Sequence, residues 1–94
     1  MLQKKDLDKL LILTRKWHNE KDPELSHAYY EQAICLSRDI ADGTSLAHEE
    51  AGANQLFRYA WNITEKRWPN EQLYIMVERA GEKIDHWEYE GYFI

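Results

Sequence analysis

Residues 19–25 read Asn19-Glu20-Lys21-Asp22-Pro23-Glu24-Leu25, and this stretch decides the fold class. Asp22 is a capping side chain, Pro23 is preset for the first helical position, and Glu24 places an acid in the first turn. A helix starts here, so Asn19-Glu20-Lys21 is the turn that closes the one before it. Upstream, Leu7, Leu10, Leu11, Thr14, Trp17 and His18 keep the i, i+3, i+4, i+7 spacing of one helix face, which predicts a helix from about Asp6 to Asn19 with Asp6 as its cap. Downstream, Leu25, Tyr29, Ala33, Leu36 and Ile40 mark a second apolar stripe at steps of three and four. Ala41-Asp42-Gly43 ends that helix, with Gly43 suited to the left-handed position beyond it.

Working further outward, Thr44 or Ser45 caps a third helix whose buried side is Leu46, Ala47, Ala51, Ala53, Leu56, Phe57, Ala60 and Ile63. Gly52 lies among small residues, where a second helix can approach closely. Arg67-Trp68-Pro69-Asn70 breaks this helix, because proline lacks a donor and restricts the residue before it. A fourth helix opens at Pro69 or Asn70 and carries Leu73, Met76, Val77, Ala80 and Ile84. Short links make successive helices antiparallel neighbours. The expected fold is all-α: an antiparallel up-down four-helix bundle, a single domain over residues 1–94, with an aromatic C-terminal tail from about 85 to 94.

Composition supports helices. The chain has 94 residues, enough for one modest core, and only 4 glycines and 2 prolines, too few for a many-turned β fold. Its longest aliphatic run, Leu10-Leu11-Ile12-Leu13, falls far short of the roughly 20 apolar residues of a membrane span. No secretion signal is legible at the start, and the single cysteine, Cys35, has no internal partner; a reducing, cytoplasmic setting is expected. The net charge of −5 argues against nucleic acid as a partner. Residues 1–21 carry six Lys/Arg against three Asp/Glu, which allows at most peripheral contact with an anionic membrane and reads first as a solvated helix face.

Motifs of catalysis or metal binding are weak. Glu24-Leu25-Ser26-His27 is one Glu-x-x-His, where di-iron bundles use two plus two further glutamates. His48-Glu49 has Gly52 where a zinc protease needs its second histidine. Cys35, mid-helix, reads as a small buried filler. No cofactor and no metal is expected, nor enzyme activity. The aromatics are more informative. Four of them, Trp87, Tyr89, Tyr92 and Phe93, crowd the last ten residues, where chain ends are usually polar and frayed. Either the tail packs back to close the core, or it forms a partner surface; Trp87 clamped, with Tyr92 and Phe93 exposed, satisfies both. Tryptophan, tyrosine and arginine dominate binding hot spots. The expected interaction residues are therefore Lys66, Arg67 and Trp68 in the helix 3–4 turn, and Trp87, Tyr89, Tyr92 and Phe93 in the tail.

Several stretches carry a resemblance. Lys21-Asp22-Pro23-Glu24-Leu25 opens helix two and Ala33-Ile34-Cys35-Leu36-Ser37-Arg38-Asp39-Ile40-Ala41-Asp42-Gly43 closes it. Leu56-Phe57-Arg58-Tyr59-Ala60 lies in helix three, and Asn70-Glu71-Gln72-Leu73 starts helix four. Over roughly residues 5–85 the chain resembles the immunity proteins of pediocin-like bacteriocins, the enterocin A immunity type. These motifs are helix caps and apolar spacings, which other small bundles share. The resemblance implies a non-enzymatic, monomeric cytoplasmic protein. Such a protein shields a producer cell from its own membrane-permeabilising peptide by recognising that peptide's complex with the mannose phosphotransferase permease. It also implies that the C-terminal half and tail set which peptide is resisted. Many members are basic, whereas this chain is acidic, with the acid concentrated near its C-terminal end. A different class is a small helical regulatory or adaptor protein of phage or antitoxin type.

Overall fold

The computed structural model describes residues 2–42, 44 and 52–88. The element order is β1 (Leu2–Gln3), α1 (Lys4–Asn19), α2 (Pro23–Asp42), α3 (Gly52–Lys66), α4 (Glu71–Arg79) and β2 (Ile84–Asp85). The protein is mostly helical. The expectations placed on Gly43, Ser45, Leu46, Ala47, Ala51, Tyr89, Tyr92 and Phe93, and on the side chains of Gly52 and Ala53, lie outside the described residues.

The decisive turn forms as its residues dictate. The Glu20 N–H closes α1 on the Lys16 carbonyl at 2.9 Å, and Asp22 Oδ1 accepts from the Glu24 N–H at 3.0 Å, a capping bond at the mouth of α2. Helices α1, α2 and α3 all pack against one another, and α4 lies against α3 and α1. The core is Leu7, Leu10, Leu11 and Leu13 of α1 against Leu56, Phe57, Ala60 and Ile63 of α3, with Leu73, Tyr74 and Val77 of α4 beneath. Trp17 ties three helices together. Its ring lies 5.7 Å from Tyr30, 5.4 Å from Phe57 and 6.0 Å from Trp61. The fully buried hydroxyls of Thr14 and Ser37 return to the carbonyls of Leu10 and Ala33, at 2.7 and 2.8 Å. Each polar group is thereby satisfied within its own helix.

Four expectations need correction. First, α1 begins at Lys4, and the residue ahead of it is Gln3, in extended geometry with no side-chain cap; Asp6 lies inside the helix. The reason is tertiary. Leu2 and Gln3 pair in parallel with Ile84 and Asp85, and the Leu2 N–H donates to the Lys83 carbonyl at 3.0 Å. The strand pairing sets the entry into α1 in place of a cap. It also adds a small parallel ladder to a fold expected to be purely helical.

Second, the buried face of α2 is Ala33, Ser37, Ile40 and Ala41, and its first turns remain unburied; Leu25 is 48 % exposed. Third, Cys35 is exposed rather than a core filler. Two positions beyond Ala33, it points to the opposite side of the helix. Fourth, α4 ends at Arg79, so Ala80 and Ile84 are not on its stripe. Gly81, at φ +97°, stops it: the Gly81 N–H bonds the Glu78 carbonyl at 2.9 Å and the Glu82 N–H the Val77 carbonyl at 3.3 Å. This is the paired closure of a Schellman motif. Ile84 is released to the strand, where it is buried opposite Leu2.

A Cβ at position 81 meets no atom within 4 Å, so any cost of adding one is conformational. Gly81→Ala is expected to destabilise the protein by about 1–2 kcal/mol. Thermal unfolding checks it: a fall of roughly 4–8 °C per kcal/mol is expected for a domain of this size, and an unchanged midpoint contradicts the assigned closure.

Candidate functional site

The sequence that ends α3 builds a surface rather than a simple turn. Pro69 cannot continue the helix, so the chain must close before it. It does so at Arg67, which takes the left-handed conformation, φ 56°, where glycine or asparagine is usual. The Trp68 N–H then reaches back to the Ile63 carbonyl at 3.0 Å. The reversal leaves Trp68 37 % exposed, with Lys66 Nζ 4.8 Å from the centre of its ring, a cation–π contact. A left-handed arginine costs more than a glycine would, and such strain persists only where surrounding structure holds it.

Beside this turn runs the C-terminal end of α1, and between them lies a cleft of about 450 Å³. Its walls are Arg15, His18 and Asn19 from α1, and Ile63, Thr64, Glu65, Arg67 and Trp68 from α3 and its turn. Arg15 donates from Nη2 to Asn70 Oδ1, a residue at the start of α4. That acceptor is neutral. Among the described residues, no carboxylate lies within ion-pair distance of Arg15 or Arg67; Lys4–Asp8 is an ion pair, and the other close contacts of carboxylates with basic side chains are His27–Glu31 and His86–Asp85. Thr64 Oγ1 is buried without a hydrogen-bond partner. Thr14 and Ser37 bond back to their own helices, whereas Thr64 does not. Two guanidiniums with spare donors beside an exposed indole are equipment for recognising a polar or anionic surface.

Of the residues expected to bind a partner, Lys66, Arg67 and Trp68 are thus brought together. Trp87 is elsewhere. Its ring packs 4.8 Å from Tyr74, with Lys4 Nζ 5.2 Å from the other ring, and it lines a separate hollow with Glu78, Gly81 and Ile84. Trp87 is half-buried and joins the core, so the tail folds back at least to this point. Tyr89, Tyr92 and Phe93 are outside the described residues. Arg15, His18 and Thr64 were not singled out from the sequence as binding residues. Arg15 and His18 are three apart on α1 and share a helix face, whereas Arg67 lies past the end of α3 and reaches the cleft through its left-handed turn; that the two segments meet is a tertiary fact.

Glu24 and His27 do not stand out as a metal site. His27 Nε2 lies 3.0 Å from Glu31 Oε1 and its ring stacks on Tyr30, and no cluster of three or more ligating side chains occurs among the described residues. No described helix is long and apolar enough to cross a membrane. No protein-family model, no curated protein and no solved structure matches this chain.

Proposed function

We propose that this protein is a non-enzymatic immunity protein that protects a bacteriocin producer from a pediocin-like peptide. It acts from the cytoplasm on the complex of that peptide with the mannose permease. The reading rests on the sequence resemblance and carries with it an antiparallel up-down order of the four helices. One structural observation supports a binding role: the α3–α4 turn exposes Trp68 beside two guanidiniums that have no carboxylate partner among the described residues. Such residues supply most of the energy of protein interfaces when they are desolvated. In this reading Lys66, Arg67 and Trp68 meet the partner together with Tyr89, Tyr92 and Phe93, while Trp87 anchors the tail.

Expression in a bacteriocin-sensitive strain tests it. The inhibitory concentration of at least one pediocin-like peptide is expected to rise about tenfold or more, a change worth about 1.4 kcal/mol if it tracks affinity. Joint replacement of Tyr92 and Phe93 by alanine is expected to abolish that protection with little change in melting temperature. A folded, expressed protein that protects against none of a broad panel removes the assignment.

A second reading has its own observation. Tyr30 and Trp61, on α2 and α3, are both more than a third exposed around Trp17 and form a second aromatic face. It suits a helical adaptor of phage or antitoxin type. The neighbouring gene separates the two: a bacteriocin precursor supports immunity, a toxin or phage gene the adaptor.

A further inference from the structure

The α1–α3 cleft has a more specific chemistry than a general contact surface. We infer that it is a carboxylate-binding site, which receives an aspartate or glutamate side chain of the partner protein between Arg15 and Arg67. The inference rests on the reading of this turn as a partner surface and names the group that is recognised.

Charge sets the ligand class. Arg15 and Arg67 bring two positive charges to the cleft wall and Glu65 one negative, and Lys66 adds a further cation over the Trp68 ring, so the surplus is positive and the ligand is an anion. A carboxylate can pair with the arginines while bringing only a single negative charge near Glu65. A phosphate carries about −1.5 to −2 at neutral pH and is repelled more strongly by the Glu65 carboxylate on the same wall. Geometry agrees. A guanidinium presents its donors as a planar fork that matches the two oxygens of a carboxylate. Arg15 is already oriented by its bond to Asn70, which lowers the entropy lost when it binds. Trp68 offers an apolar wall for the methylenes of a glutamate, and Thr64 adds a hydroxyl that no protein group uses.

The strain at Arg67 points the same way. Glycine in its place relieves the left-handed backbone, so the residue is better explained by what its side chain does than by the turn it makes. This separates a binding role from a structural one, because Arg67→Gly should leave the fold as stable or more stable while weakening the ligand.

The test is a titration of the isotopically labelled full-length protein, followed at the arginine Nε–H and tryptophan indole resonances. The probes are N-acetyl-glutamate N-methylamide, its glutamine counterpart and inorganic phosphate, at constant ionic strength. Saturable shifts at Arg15, Arg67 and Trp68 are expected with the glutamate probe, and binding at least about tenfold weaker with the glutamine probe. Arg15→Gln and Arg67→Gly should each weaken the glutamate probe by about tenfold, the latter without a lower melting temperature. Arg38→Gln, on the exposed side of α2, should change nothing. Shifts that never saturate, equal binding of both amino-acid probes, or tighter binding of phosphate overturn the assignment. No bacteriocin enters this experiment. Protection without carboxylate binding therefore removes this inference alone, and carboxylate binding without protection removes the immunity assignment alone.

Discussion

Leu11→Ala is expected to remove about 2–5 kcal/mol of stability, a large share of the roughly 5–15 kcal/mol that holds a domain together. Leu11 is fully buried, and its helix is the one that packs against α2, α3, α4 and β1 alike. Truncation loses the transfer energy of the removed methyl groups and leaves a cavity that several elements would have to move together to fill. Ile12, its immediate neighbour, is 52 % exposed. Ile12→Ala is expected to cost well under about 1 kcal/mol. Urea unfolding checks the pair: the midpoint should fall sharply for Leu11→Ala and hardly move for Ile12→Ala, with slopes unchanged. Similar losses at both positions would mean that the helix is rotated from the face described.

The second large contrast is between two tryptophans. Trp87→Ala is expected to cost about 2–3 kcal/mol, less than a fully buried aromatic because the residue is only partly buried. It removes the partner of Tyr74 and loosens the β1–β2 clasp beside it. Trp87→Phe is the informative companion. The indole Nε1 is buried with no hydrogen-bond partner, so a phenyl ring keeps the packing and removes an unpaired donor. It is expected to be close to neutral. Trp68→Ala should behave in the opposite manner: a stability change within about 1 kcal/mol, and a loss of about tenfold or more in protection. Circular dichroism melts read alongside the protection assay separate the two residues. If Trp68→Ala unfolds the protein, or Trp87→Ala leaves its stability intact, the division into surface and anchor is wrong.

That division also shows where sequence reading stops. Trp68 and Trp87 look alike in the sequence: each follows a basic-type residue, Arg67 or His86, and each lies past the last apolar position of a helix read from the pattern. Trp68 is held outward by a local event, the left-handed Arg67 and its following closure. Trp87 is drawn inward by a distant one, the pairing of residues 84–85 with residues 2–3. Gly81 was a legible signal for the end of α4, since Ala80-Gly81 is a common helix stop. The apolar spacing that ran through Ala80 to Ile84 concealed it, and Ile84 is indeed buried, but as a strand residue.

Local chemistry therefore determined that these segments are helical, though not every helix end. Asp22-Pro23-Glu24 starts α2, Pro69 follows the end of α3, and the leucine stripe of α1 and the Leu56–Ile63 stripe of α3 are buried as their spacing requires, because capping and periodicity act within a few residues. The tertiary structure decided the rest. It swapped a cap at Asp6 for a strand pair with residue 84, left Leu25 and Cys35 exposed on α2, and placed Arg15 beside Arg67. Those outcomes depend on contacts between segments tens of residues apart, whose relative placement is set by how the whole core closes.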